Sequence, residues 1–179
     1  MIGDIALDQT YHSQLSRFYV EKGKHCMTPE VINKARRVLV DFLSEVAVGF
    51  QTGTFQSQCA SYLHHIGGAR EATILCHGNQ VPAMHAALAL GVLGHSIELD
   101  DGHRWGTCHP AVAIIPAVLA MSERDNASFT KLLEAIIIGY DVMLRAARAI
   151  NPSHLKRGFH STGTCGALGA AAACAYLKN

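Results

Sequence analysis

A chain of 179 residues, 49% hydrophobic and 16% charged, is long and apolar enough to build one packed domain, which excludes a disordered polypeptide. Its net charge of +1 with histidines neutral, and the lack of any long Lys or Arg run, leave no electrostatic footprint for nucleic acid or an anionic membrane. Six cysteines without a C-x-x-C pair, and an N-terminus MIGDIALDQTYHSQ with two acids where a leader would be basic and then apolar, fit a reduced, cytoplasmic protein.

Ile5 to Lys22, with apolar positions at Leu15, Phe18 and Tyr19, reads as a short amphipathic helix. The segment TPEVINKARRVLVDFLSEVAVGF is the strongest helical signal. Thr28 suits a cap, Pro29 suits the first helical position, and Val31, Ile32, Ala35, Val38, Leu39, Phe42, Leu43 and Val46 recur at helical spacing. These first two helices are expected to form a hairpin. Phe55, Cys59, Tyr62, Leu63 and Ile66 suggest a third helix, stopped by Gly67-Gly68, and EATILCHG a short extended piece.

Pro82 then opens a helix to about Leu93, and Pro110 opens another to about Ser122, with Pro116 expected to kink it. Ser128 caps a long helix through Ile150, whose nearly all-round apolar surface predicts a central place. The final segment, HSTGTCGALGAAAACAYL, has small residues at Gly163, Gly166, Ala167, Gly169, Ala170 and Ala173, which permit very close helix approach; it is too short and too weakly hydrophobic for a membrane span. Residues 1–179 therefore read as a single all-α domain, a bundle of about seven helices, ending directly on a helix expected to be buried.

Two polar loops interrupt this framework, GHSIELDDGHRWGTCHP and NPSHLKRGFHST. Each delivers a histidine, His109 or His160, to the start of an apolar helix, where unpaired N–H groups and the helix dipole favour an anion and disfavour a charged imidazolium. The pattern suggests a carboxylate site with a proton-transfer group. Arg104, Lys156 and Arg157 are candidates to hold carboxylates, and Glu98, Asp100 and Asp101 to orient imidazoles or relay protons. Asp100 and Asp101 also suit a helix cap or turn, and Lys156 and Arg157 a solvated loop. His154 ranks behind the others; His64, His65 and His85 lie on helices and read as ordinary surface or core residues.

Asp100, Asp101, His103, Cys108 and His109 are all metal-ligand types, but D-D-x-H-x4-C-H matches no closed zinc pattern, and the scattered cysteines suit no iron–sulfur cluster. No metal or other cofactor is expected. Cys108 and His109 are adjacent and so point apart, which favours a structural cysteine over a nucleophile.

The blocks HSIELDDGHRWGTCHPAVAIIPAVLA, GYDVMLRAARAI and GFHSTGTCGALGAAAACAYL resemble, in order, the N-terminal helical domain of the MmgE/PrpD family, which includes 2-methylcitrate dehydratase, cis-aconitate decarboxylase and iminodisuccinate epimerase. The resemblance implies a cofactor-free lyase, or an isomerase or epimerase, acting on small di- or tricarboxylates as a homodimer. It matches the family's D-x-D-D-T…H-P and F-H segments to Glu98, Asp100, Asp101, His109 and His160, which implies His109 as the main proton-transfer group and His160 as a substrate-binding or second proton-transfer group. With the reading of the loops themselves, the catalytic candidates are His109, His160 and Asp101, and the substrate-binding candidates Glu98, Asp100, His103, Arg104, Lys156 and Arg157. Glu98 replaces the family's first Asp and Gly102 its Thr, while HRWGTC is inserted, bringing Arg104 and Trp105 toward the site. The family's second, α+β domain, which contributes lysine and tyrosine site residues, is not within these residues, so a non-catalytic helical module that dimerises or binds a partner is the alternative expectation.

Overall fold

In the computed structural model, which describes residues 10–178, the spacing from Val31 to Val46 becomes the 24-residue helix α2 (Pro29–Thr52). Thr28 caps it, its Oγ1 accepting the N–H of Val31 at 3.3 Å, and Ala35, Leu39, Phe42, Val46 and Gly49 form the buried face. Before it come α1 (Tyr11–Lys22) and a 3₁₀ turn, Gly23–Cys26; the first residues of the expected N-terminal helix, 5–9, lie outside the described residues. Helix α1 also reaches beyond the α2 neighbour expected for it. Tyr19 donates its hydroxyl to Asp141 on a helix far along the chain.

Helix α3 (Thr54–Ile66) ends where Gly67 takes φ of +71°, a conformation that favours glycine. The predicted extended piece shrinks to β1 (Ala72–Thr73), paired antiparallel with β2 (Gln80–Val81) so that Ala72 faces Val81. Then follow α4 (Ala83–His95), α5 (Ala111–Arg124), α6 (Phe129–Ile150), α7 (Ser153–Lys156) and α8 (Ser161–Lys178). Ser128 caps α6 by accepting the N–H of Lys131 at 3.2 Å. The described residues thus hold eight α-helices, the addition to the expected set being α7, a single turn inside the second polar loop. No helix among them is long and apolar enough to cross a membrane.

The central element is α5, and not α6 as its composition suggested. Helix α5 touches α2, α4, α6, α8 and β1, with Ile114, Ile115 and Val118 fully buried. Helix α6 buries Leu132, Leu133, Ile136, Gly139, Met143 and Ala147 on one side, while Arg145, Arg148 and its last turn face solvent. The small residues of α8 do serve close approach: a Cβ on Gly169 would stand 2.6 Å from the backbone oxygen of Gly139 on α6 and 2.6 Å from Ile114 on α5. On the other side of the core, a Cβ on Gly49 would come within 2.1 Å of the Leu93 carbonyl, so α2 lies directly against the end of α4. The end of α4 and the starts of α5 and α8 consequently meet, and both polar loops lie there.

Candidate functional site

Two side-chain bonds join the loops. Thr162, in the first turn of α8, accepts the backbone N–H of His109 at 3.0 Å. Asn151, at the end of α6, reaches the Gly106 carbonyl at 2.7 Å and the Ser161 hydroxyl at 2.9 Å with the same amide nitrogen, and its Oδ1 accepts from Leu155 N–H in α7. Ser161 and Gly106 are buried, so this amide satisfies groups that water does not reach.

At the start of α5, the acids of the first loop divide their work. Asp101 caps the helix, its Oδ1 accepting the N–H of Ala111 at 2.9 Å and its Oδ2 the hydroxyl of Tyr140 at 3.0 Å. The positive end of α5 is therefore filled by a carboxylate of the chain itself. Burial pushes the Asp101 carboxyl up, against the pull of those two donors; burial, then the charge of Asp101, raises the Tyr140 phenol.

The side chain of Asp100 is fully buried and faces two imidazoles. Its Oδ2 lies 2.8 Å from Nδ1 of His95 and 3.3 Å from Nδ1 of His109. Nδ1 of His109 is also 2.8 Å from the carbonyl oxygen of Asp101. A carbonyl only accepts, so Nδ1 of His109 carries the proton and, in the neutral ring, Nε2 bears the free lone pair. The same reasoning puts the proton of His95 on Nδ1. The two rings stand 5.5 Å apart, and Glu98, held at φ of +53° and largely exposed, reaches 3.8 Å from Nε2 of His95.

A family model for the MmgE/PrpD N-terminal domain matches residues 13–179. The chain belongs to the MmgE/PrpD family. It is 28% identical to the cis-aconitate decarboxylases of Homo sapiens and Mus musculus over 153 residues, 82% of this chain and 31% of each of those proteins. It is 24% identical to a cis-aconitate decarboxylase-like protein of Aspergillus oryzae over 173 residues, 92% of this chain and 36% of that protein. The chain thus spans about a third of the length of these relatives.

In this MmgE/PrpD chain, the other sequence-derived candidates are more dispersed. His103 turns inward on its own loop: Nδ1 accepts the N–H of Gly106 at 3.1 Å, its backbone bridges to Cys108, and its ring meets the edge of Trp105. Arg148 of α6 lies over the Trp105 ring, 4.9 Å from its centroid, tying down the inserted HRWGTC segment. Arg104, Lys156, Arg157 and His160 are exposed, and none of the four forms an ion pair among the described residues. His154 stacks on Phe159, and its Nε2 lies 2.8 Å from the Thr164 hydroxyl. Among the described residues no three His, Cys, Asp or Glu side chains converge as metal ligands would. Cys108 is buried, and burial pushes its thiol up to about 11, which suits packing and not attack.

Sequence reasoning missed His95, Tyr140, Thr162, Asn151 and Glu45. Glu45 sits on the buried face of α2, one turn from Phe42 and beside Val46, and neither of its carboxyl oxygens has a hydrogen-bond partner. The signal was available: a charge three residues after Phe42 and four before Gly49 falls inside the apolar stripe. Burial, followed by the charges of Asp41, Asp100 and Asp101, pushes this carboxyl up to about 7, with His109 pulling the other way.

That shift has a sign for stability. The folded chain holds the Glu45 proton more tightly than the unfolded chain, so the contribution is complete below the ordinary glutamate range and is lost as pH rises through about 7. Glu45→Gln is expected to flatten this loss, shrinking the fall in unfolding free energy between about pH 5 and about pH 8 by roughly 1–3 kcal/mol. Denaturant melts of both proteins at the two pH values check it; parallel pH dependence would show that Glu45 is ionised throughout.

Proposed function

We propose that this MmgE/PrpD chain carries the proton-transfer part of a lyase site for small di- or tricarboxylates. The observation that supports it best is the fixed tautomer of His109: with Nδ1–H held by Asp101 and Asp100 on a partly exposed ring, the lone pair of Nε2 is left free to act as a general base. Once that nitrogen has taken a proton, Asp100 stabilises the imidazolium and holds its plane. A substrate carboxylate is held at the start of α8 by His160 and by the cationic ends of Arg104, Lys156 and Arg157. Asp101 acts by fixing His109 just before α5 through its carbonyl oxygen, and Glu98 by engaging His95; His103 shapes the loop edge.

The relatives, cis-aconitate decarboxylases by name, favour cis-aconitate as substrate. Its decarboxylation needs a proton delivered to the allylic carbanion that loss of carbon dioxide leaves, whereas dehydration of a 2-methylcitrate-type hydroxy acid needs one removed beside a carboxylate, and epimerisation needs both. Nε2 of His109 serves in each. The test is to incubate the purified full-length protein with cis-aconitate, citrate and 2-methylcitrate and follow products by mass. Turnover of at least one is expected, and a folded protein inert toward all three overturns the reading.

The second reading is a helical module that pairs with another copy or another domain. It is favoured by a groove of about 590 Å³ lined by Leu88, Gly91, Val92, His95, Glu98 and Val112, flanked by exposed Met84. A dimer seen by light scattering supports the homodimer expected of the family and fits either reading; inertness toward all three acids selects the second.

A further inference from the structure

Two buried carboxyl groups at this site are incompletely satisfied. Both oxygens of Glu45, a residue 5% exposed, and Oδ1 of Asp100, whose side chain is fully buried, have no hydrogen-bond partner. A buried charge in that condition is costly, and two close together are costlier, unless one carries a proton. Metal does not relieve the charge here, because no metal-holding arrangement occurs among the described residues. A proton does, and it also supplies the one donor that this set of bare acceptors lacks.

The charged and titratable groups that act on Glu45 come from several elements. Asp41 lies on its own helix, Asp100, Asp101 and His109 on the loop between α4 and α5, and Tyr140 on α6. His95, closing α4, shares Asp100 with His109, and α5 offers no titratable side chain before Glu123 near its far end. All the acids are on one side of the balance and His109 is on the other. A negative Glu45 favours the imidazolium, and an imidazolium favours a negative Glu45.

We propose that Glu45 is a positioning residue that holds a proton for the Asp100–His109 pair, neutral while His109 is neutral and ionising to solvent when His109 becomes charged. The inference rests on His109 as the proton-transfer group and adds to it a buried acid that keeps the charge of the cluster nearly constant through a turnover. Neutral Glu45 leaves Asp100 as the carboxylate that orients the imidazole; ionised Glu45 compensates the imidazolium.

The experiment reads Glu45 directly. In full-length protein carrying ¹³C-labelled glutamate carboxyls, one signal is expected to titrate near 7 and to vanish in Glu45→Gln, with Glu45→Asp used for assignment if the glutamine variant does not fold. In His109→Gln the same signal is expected to titrate higher, since the compensating charge is gone. In an active preparation, the pH profile of kcat/KM is expected to lose its inflection near 7 in Glu45→Gln. A Glu45 signal that titrates in the ordinary carboxylate range, or one unmoved by His109→Gln, overturns the coupling whatever the turnover. Conversely, a coupled pair in a protein inert toward every carboxylate keeps the Glu45–His109 coupling and removes the lyase reading together with the role in turnover.

Discussion

Replacing His109 by alanine is expected to lower kcat/KM by about 10²–10⁴-fold in the active full-length protein, the range that a positioned proton-transfer group supplies. The backbone is not expected to follow, because the contact that joins the His109 segment to α8 is made by the main-chain N–H to Thr162 and survives the substitution. Circular dichroism and the denaturation midpoint are therefore expected to stay close to those of the parent. Added imidazole is expected to restore part of the lost rate, which a merely structural histidine would not allow. Asp100→Asn is expected to cost less than His109→Ala, since the carbonyl of Asp101 still holds Nδ1–H in place. Turnover in His109→Ala equal to the parent's would sink the assignment of this residue.

Gly169→Val is expected to destabilise the fold by roughly 3 kcal/mol or more, a fall of roughly 6–12 °C in Tm for a chain of this size. The first added carbon meets the Gly139 carbonyl at 2.6 Å, Ile114 at 2.6 Å and Met143 at 2.8 Å, on two different helices, and one of those atoms is backbone. Relief requires α8 to move away from α6 and α5, and that movement carries Thr162 away from His109. Loss of activity at temperatures where the variant is still folded is thus expected alongside the lower Tm. Gly163 in the same helix provides the contrast. Nothing stands within 4 Å of where its Cβ would be, so Gly163→Ala is expected to stabilise by about 0.5–1 kcal/mol through helix propensity. A calorimetric comparison in which both variants shift Tm equally would contradict the packing argument.

The framework was legible where local chemistry and tertiary structure agree. Thr28-Pro29 at one helix start, Ser128 at another and Gly67 at a helix end are local devices, and each does locally what its residue type predicts. Helix α7 was hidden because a single turn has no periodicity to detect. The contact of α1 with α6 through Tyr19 and Asp141 was hidden because the two residues lie far apart in sequence.

The site divides the same way. The density of polar residues in two loops was visible, and so was the arrival of histidines at helix starts. Which acid serves which histidine was not, since Asp101 and Asp100 differ only in the direction they leave the chain: one toward α5, the other toward His95 and His109. The groups contributed by helices, Glu45 and Tyr140, were concealed among the apolar positions that made those helices recognisable. The loop cations Arg104, Lys156 and Arg157 were visible too, and all three are exposed.

Trp105 is the chain's one tryptophan, 65% exposed and lodged between Arg148 and His103 in the inserted stretch of the first polar loop. Its emission consequently speaks for that loop and for nothing else in the described residues. The chain carries its own optical label a few positions from His109, quenched or released by whatever shifts the loop over the end of α6. Under the proposed function, a carboxylate titrated into the protein is expected to change that emission on binding, before any bond in it has changed.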